Sequence, residues 1–336
     1  MMAYDVTRQQ LTALEVEWRT DRPHVVVLGA GASLAAFPSG DASDRRLPLM
    51  VNVVQVLGLS PLFEAAGLEP SGNFESLYSE LHRLDPQSSL LAQIEQQVME
   101  YFSGLELPRH PTLYDLLLLS LREKDAIFTF NWDPFLADAY ARHDGLVPLP
   151  KIFHLHGNVR AGYCGQCKRS RPKAVLCQEC QGPLVPSRLL YPVESKNYAD
   201  DPFISTQWNA VRSYIKRAVI ITIFGYSAPT TDQEAMAIFR EAWKVDDPET
   251  RPVERVEIID IRDHEELAGQ WSTFAHFDHY NIRRSFLDSS LAHHPRRSCE
   301  AHLHMGVNGE FVEPIPWAGN LEGVEASLAD VIAAEE

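Results

Sequence analysis

His24-Val25-Val26-Val27-Leu28-Gly29-Ala30-Gly31-Ala32-Ser33 is the stretch that decides the fold. Its first five residues are short, apolar and β-branched, and they run straight into a glycine turn. A strand buried on both faces that ends in a turn and feeds a helix is the signature of a parallel sheet. Working outward, the same grammar recurs. Residues 126–130 form a second apolar run that ends at Asn131-Trp132-Asp133-Pro134. Residues 151–155 end at His156-Gly157, residues 218–224 end at Gly225-Tyr226-Ser227, and 253–260 end at Asp260. Helices are expected at 112–121, 201–217, 231–243 and 321–334. Apolar strands alternating with helices predict an α/β fold with an open parallel sheet. Ligands of such sheets bind outside the carboxyl ends of the strands, and every unusual polar motif in this chain falls at such an end.

Two segments interrupt the alternation. Between residues 37 and 107 no strand pattern occurs. Loops carrying Pro38, Gly40, Pro48 and Pro61 separate helical stretches at 50–57, 73–84 and 89–102, which predicts a helical insertion over about 40–107. Between 160 and 185 lie Cys164-x-x-Cys167 and Cys177-x-x-Cys180. Two such pairs set four thiolates around one tetrahedral Zn²⁺, and with four Cys ligands no position stays open to water, so the metal is structural. The nine intervening residues are fewer than in common zinc ribbons, and they carry Lys168, Arg169, Arg171 and Lys173, which offset the charge of a tetrathiolate. A redox dithiol and solvent-facing cysteines are the alternatives. The expected organisation is therefore a sheet domain from 1–159 and 186–336 with a zinc module at 160–185. Residues 1–21 read as an amphipathic helix, and the tail from about 298 as mixed short strands before the last helix.

Composition narrows the function. The 336 residues hold 30 Lys+Arg against 46 Asp+Glu, a net charge of −16, with 45% apolar and 23% charged residues. This argues against nucleic-acid and anionic-membrane binding, where a basic surface is needed. It leaves room for a small anionic ligand held by backbone dipoles. The longest apolar runs, 116–119 and 218–224, fall far short of the ~18 residues of a membrane span, and no apolar signal-peptide core is present, so the expected location is the cytoplasm. Four of the five cysteines sit in one block, and Cys299 reads as an inert thiol.

Each motif has two readings. Gly29-Ala30-Gly31-Ala32-Ser33 is either a phosphate cradle or a tight strand-to-helix turn, and it lacks the third glycine and the later acid of the full dinucleotide fingerprint. Asn131 and Asp133 either orient a ribose or a water, or form an Asx turn capping the helix after Pro134. His154 and His156 alternate along one face; His156 suits a general base near neutral pH, or both are structural. Ser227 is a phosphate or ribose ligand, with Thr230 or Thr231 as a helix cap, and Asp260 is a ribose acceptor or a surface turn residue. His276, His279, His293, His294, His302 and His304 fit no compact ligand set.

The order of these motifs is more specific than any of them. A Gly-Ala-Gly-x-Ser turn, Thr129-Phe130-Asn131-Trp132-Asp133, His156-Gly157, two Cys pairs and Gly225-Tyr226-Ser227 together resemble the sirtuin family, over roughly residues 24–262. The resemblance implies a Rossmann-like sheet binding NAD⁺, with Asn131 and His156 acting on the nicotinamide ribose, and Asp133 near the nicotinamide end. It implies that Gly29, Ala30, Gly31, Ser33, Gly225 and Ser227 hold phosphate and ribose. The chain departs from deacylating sirtuins in two places. No Phe-Arg follows the first turn, and the segment after the zinc module reads Leu189-Leu190-Tyr191-Pro192-Val193-Glu194-Ser195-Lys196-Asn197-Tyr198, whose proline removes a ladder donor from the strand that would pair with an acyl-lysine peptide. In this the chain resembles bacterial sirtuin-like NAD⁺ hydrolases of anti-phage defence. The resemblance implies an NAD⁺ glycohydrolase releasing nicotinamide and ADP-ribose, gated by a partner such as an ATPase or nuclease, or by homo-oligomerisation. An NAD-dependent protein-lysine deacylase and a non-catalytic NAD⁺ or ADP-ribose sensor are the alternatives.

Overall fold

The computed structural model describes residues 18–172, 176–177, 179–192, 201–228, 232–243, 255–271, 280–308, 317, 320–333 and 335. The N-terminal helix expected over 1–21 falls mostly outside these residues, as do Lys173, the stretch 193–198, Thr230, Thr231, His276 and His279.

Six strands make the central sheet: β1 (His24–Leu28), β2 (Ala126–Thr129), β3 (Lys151–His154), β7 (Ile220–Phe224), β8 (Arg255–Ile259) and β9 (Tyr280–Arg283). Their order is β3-β2-β1-β7-β8-β9, and every pairing is parallel. Three short strands, β4 (Ala161–Cys164), β5 (Arg169–Pro172) and β6 (Val185–Pro186), form a separate antiparallel sheet, β5-β4-β6. With that small sheet set aside, the strand order is the 3-2-1-4-5-6 arrangement of doubly wound dinucleotide-binding folds. The α/β parallel-sheet class read from the sequence is the one observed.

Period-two alternation sorts the strand side chains onto two faces. Val26, Leu28, Ile127, Phe224 and Ile259 belong to a core shared with α1 (Ala30–Ala36), α2 (Val53–Val56), α3 (Ser60–Ala65), α4 (Phe74–Leu84), α5 (Ser89–Gly104), α6 (Leu113–Leu119), α7 (Phe135–His143) and the C-terminal helices. Val25, Val27, Phe128, Ile221, Ile223, Val256 and Ile258 face the other core, covered by α8 (Pro202–Arg217), α9 (Gln233–Trp243) and α10 (His264–Trp271). Helix starts follow local capping chemistry. Asn73 accepts from the Glu75 amide at the start of α4, Asp201 from Phe203 and Ile204 at the start of α8, and Thr112 with Asp115 forms a capping box at α6.

Two expectations need correction. The sheet has a sixth strand, β9, which the apolar criterion missed because Tyr280-Asn281-Ile282-Arg283 is a mixed edge strand. The tail after 298 is helical where described: α11 (Ser290–His293) precedes it, followed by α12 (Ser298–Asn308) and α13 (Leu321–Ala333). Cys299, Glu300, Ala301 and His302 of α12 are all buried, so no polar face marks a helical period.

Candidate active site at the sheet switch point

β1 continues the chain toward β2 and β3, whereas β7 continues it toward β8 and β9. The order therefore reverses between β1 and β7, where doubly wound sheets bind ligands. The two loops leaving these strands interlock. Gly29 donates its amide to the Phe224 carbonyl (3.0 Å), and Gly31 donates to the Gly225 carbonyl (2.9 Å). A Cβ on Gly29 would sit 2.5 Å from the Tyr226 Cα, and one on Gly31 2.8 Å from the Gly225 Cα. Gly225 has φ +61°, in the region that favours glycine, and a Cβ there would strike the Ala32 amide nitrogen. These glycines are thus required by backbone packing between the two loops. The amides of Gly29, Gly31 and Ala32, expected to face a phosphate, are bonded within the protein.

Four side chains lock together beside this interlock. The Ser33 hydroxyl donates to Asp133 Oδ2 (2.6 Å) and lies 2.6 Å from the Tyr114 hydroxyl. The Asn131 amide nitrogen donates to the Gly29 carbonyl (2.9 Å), Ser33 Oγ (3.0 Å) and Tyr114 Oη (3.2 Å). A backbone carbonyl only accepts, so this contact sets which end of the Asn131 amide is nitrogen. Among the described residues no donor reaches Asn131 Oδ1, which remains the atom to offer a ligand. Asp133 Oδ1 accepts from the Phe135 amide (3.2 Å), so the Asx turn at the start of α7 and the contact with Ser33 coexist. Desolvation pushes the buried Asp133 carboxyl up to about 6, with the Ser33 and Phe135 donors opposing the rise. Burial pushes the Tyr114 phenol above its ordinary range, so it serves as a neutral donor and acceptor.

His156 lies in the turn beyond β3, not on the strand itself, and it is buried. Its ring stands edge-on to Phe130 (4.8 Å, 88°), and its Nε2 is 3.8 Å from Asp232 Oδ1. Gly157 follows with φ +79°. Asn158 joins this loop to the Asn131 loop by donating to the backbone carbonyls of Asp133 (2.6 Å) and Asn131 (3.4 Å). Asn131, Asp133 and His156 are thereby held on two loops bound to each other. His154 is a buried core residue whose ring burial drives down to about 4, so it stays neutral at pH 7.

The other expected ligands behave differently. Ser227 is exposed beyond the Gly225 turn, and Ala30 opens α1. The Asp260 carboxylate is gripped by the Arg262 guanidinium (2.8 Å), which favours its reading as a turn residue. Tyr114, Asn158 and Asp232 were not singled out as site residues from sequence. Tyr114 sits inside an apolar helix, where nothing distinguishes it from core.

The sulfur atoms of Cys164, Cys167, Cys177 and Cys180 all lie within 4.8 Å of one another. The two pairs are built alike. Lys168 donates its amide to the Cys164 carbonyl (2.9 Å) and Gln181 to the Cys177 carbonyl (2.7 Å), and both residues have φ +57°. The Cys167 amide points at Cys164 Sγ (3.3 Å), and the amides of Cys180 and Glu179 pull the Cys177 thiol down to about 6. Four sulfur atoms converging this closely, with no other ligand needed, fit a tetrahedral Zn²⁺ with no open position. The module reaches the site through Ser187, which accepts from the Asn158 amide (2.9 Å) and donates to the Asn158 carbonyl (3.0 Å).

No family model matches the sequence, and no curated protein matches it. Solved structures that match include a mutant Sir2 homologue with ADP ribose (13% identity, TM-score 0.38, covering 90% of this chain and 99% of that one). A Sir2 homolog–NAD complex matches at 14% identity, TM-score 0.36, over 89% of this chain and 94% of the other. Sir2 bound to acetylated peptide matches at 15% identity, TM-score 0.37, over 90% and 98%. TM-scores below 0.5 leave the functional question to the residues. No described helix is long and apolar enough to cross a membrane.

Proposed function

We propose that the protein is a sirtuin-like NAD⁺ glycohydrolase: NAD⁺ and water become nicotinamide, ADP-ribose and a proton. The observation that carries this reading is the joined set at the switch point, with Asn131 oriented by Gly29, Ser33 and Tyr114 and tied through Asn158 to the His156 loop. Breaking an N-glycosidic bond passes through an oxocarbenium-like state. Nicotinamide leaves neutral, so no strong general acid is required. The site must orient the ribose, exclude bulk water and admit one nucleophile. Asn131 Oδ1 accepts from a ribose hydroxyl or the attacking water. His156 takes the proton that this water or hydroxyl releases. Asp133, ionised above about pH 6, adds negative potential near the developing cation. Ser33, Gly225 and Ser227 are proposed to line the ribose and phosphate path, with Gly29, Ala30 and Gly31 shaping the turn. Zn²⁺, held by the four cysteines, contributes structure only.

Hydrolysis is favoured over deacylation by the segment after the zinc module. The Leu190 amide donates to the His156 carbonyl (2.9 Å). Tyr191 stacks on Tyr78 of α4 (5.0 Å, 18°), and its hydroxyl donates to the Glu95 carbonyl of α5 (3.1 Å). The Ser79 hydroxyl donates to the Pro192 carbonyl (2.7 Å). This segment is strapped to the helices of residues 74–104, and Pro192 has no amide to offer a peptide strand. Water is then the acceptor. Because unchecked NAD⁺ loss harms the host, we further propose that a partner protein, such as an ATPase or nuclease, or self-association gates the activity, as in anti-phage defence. The test is turnover of NAD⁺ in H₂¹⁸O with and without an acylated-lysine peptide. ¹⁸O in ADP-ribose without peptide supports the reading; nicotinamide release only with peptide supports a deacylase. Thermal stabilisation by NAD⁺ without any turnover supports a sensor.

A further inference from the structure

We propose that Asp232 is the positioning residue for His156, aimed by Tyr226. Four side chains from the ends of three strands, β2, β3 and β7, close a ring. His156 stands edge-on to Phe130, and Phe130 stacks flat on Tyr226 (4.1 Å, 3°). The Tyr226 hydroxyl donates to Asp232 Oδ2 (2.9 Å), and Asp232 Oδ1 faces His156 Nε2 (3.8 Å). All four residues are buried. A buried carboxylate is costly to desolvate, and its location beside an imidazole offsets that cost most when the imidazole presents an N–H.

The geometry has a definite chemical consequence. At 3.8 Å the two groups are at ion-pair rather than hydrogen-bond distance, and a carboxylate oxygen facing Nε2 favours the tautomer with the proton on Nε2. When the ring takes a second proton it becomes cationic, and Asp232 stabilises it without itself receiving the proton. The Tyr226 hydroxyl holds Oδ2, so the carboxylate cannot turn away from the ring. Tyr226 is in turn held by the Phe130 stack and by Trp271 of α10 (6.2 Å). Asp232 acts through His156 and need not touch the ribose.

The kinetic part of this inference rests on the glycohydrolase reading; the tautomer does not. Long-range ¹H–¹⁵N spectra of the full chain, with the His156 signals assigned by His156→Gln, read the tautomer directly. The wild type is expected to hold the Nε2–H form at neutral pH, and Asp232→Asn to shift the ring toward a mixture. In NAD⁺ turnover, Asp232→Asn is expected to lower kcat by roughly 10²-fold, with KM within about threefold of wild type. Tyr226→Phe, which deletes one hydroxyl and keeps the stack, should move both readouts in the same direction by less, and it serves if Asp232→Asn does not fold. A wild-type Nδ1–H tautomer, or a tautomer and kcat unchanged in both variants, overturns the proposal. If the wild type releases no nicotinamide under any condition, the glycohydrolase reading fails while the spectra still decide the pair.

Discussion

The Ser33 hydroxyl donates to Asp133 Oδ2 across 2.6 Å, joining the loop after β1 to the loop after β2. Neither residue is exposed, and the bond places a carboxylate in a dry site at the switch point. Its energetics are pH-dependent with a definite sign. Desolvation raises the folded carboxyl from 3.8 to about 6, so the folded state binds the proton more tightly than the unfolded chain. Stability from this group is therefore greatest below about 3.8 and is lost as pH rises toward 6. The loss amounts to about 3 kcal/mol. Comparing urea unfolding of wild type and Asp133→Asn at pH 4 and pH 7.5 should show the asparagine variant gaining relative stability at the higher pH. A pH-independent difference would contradict this.

Tyr114→Phe removes the hydroxyl shared by Ser33 and Asn131 without removing the ring that packs edge-on to Phe37. The expected stability loss is about 1 kcal/mol. NAD⁺ turnover should fall by a larger factor than that loss explains, because the Asn131 amide loses one of three acceptors. Calorimetry and steady-state kinetics on the same preparation check both.

Gly225→Ala places a methyl against the Ala32 amide at a φ of +61°. Both the contact and the conformation are unfavourable, so a loss of several kcal/mol, or failure to accumulate folded protein, is expected. Gly58→Ala is a matched control: it also has positive φ, +69°, but nothing lies within 4 Å of its added methyl, so it isolates the conformational part.

The four-cysteine cluster predicts about one zinc per chain by elemental analysis. Chelation, or Cys177→Ser, should lower Tm and also lower NAD⁺ turnover, because Ser187 carries the module's position to Asn158 and so to the His156 loop. Metal-free protein with an unchanged Tm would rule out a structural role.

The strands β1, β2 and β7 were legible because each is buried along its length and reads as an apolar run, and β3 and β8 because the short apolar stretches Ile152-Phe153 and Ile258-Ile259 lead into a polar motif. β9, an edge strand like β3, was not, since Ile282 is its one aliphatic residue. The cysteine cluster was legible from spacing alone. Asn131, Asp133 and His156 were legible as motifs, yet their partners were not. Tyr114 is hidden among the leucines of α6, and Asp232 meets His156 only because the loops after β3 and β7 converge in space. The family resemblance implies a ligand for the glycines at 29, 31 and 225, whereas much of their requirement comes from the two loops packing on each other, in keeping with the tight-turn reading of Gly29–Ser33.

The central claim is tested most directly by incubating the zinc-loaded full chain with NAD⁺ and measuring nicotinamide and ADP-ribose, alone and with candidate triggers. The account predicts stoichiometric release of both products without any acylated peptide, abolished in Asn131→Ala and in His156→Ala. NAD⁺ left intact under every trigger, or full turnover in either variant, would contradict it.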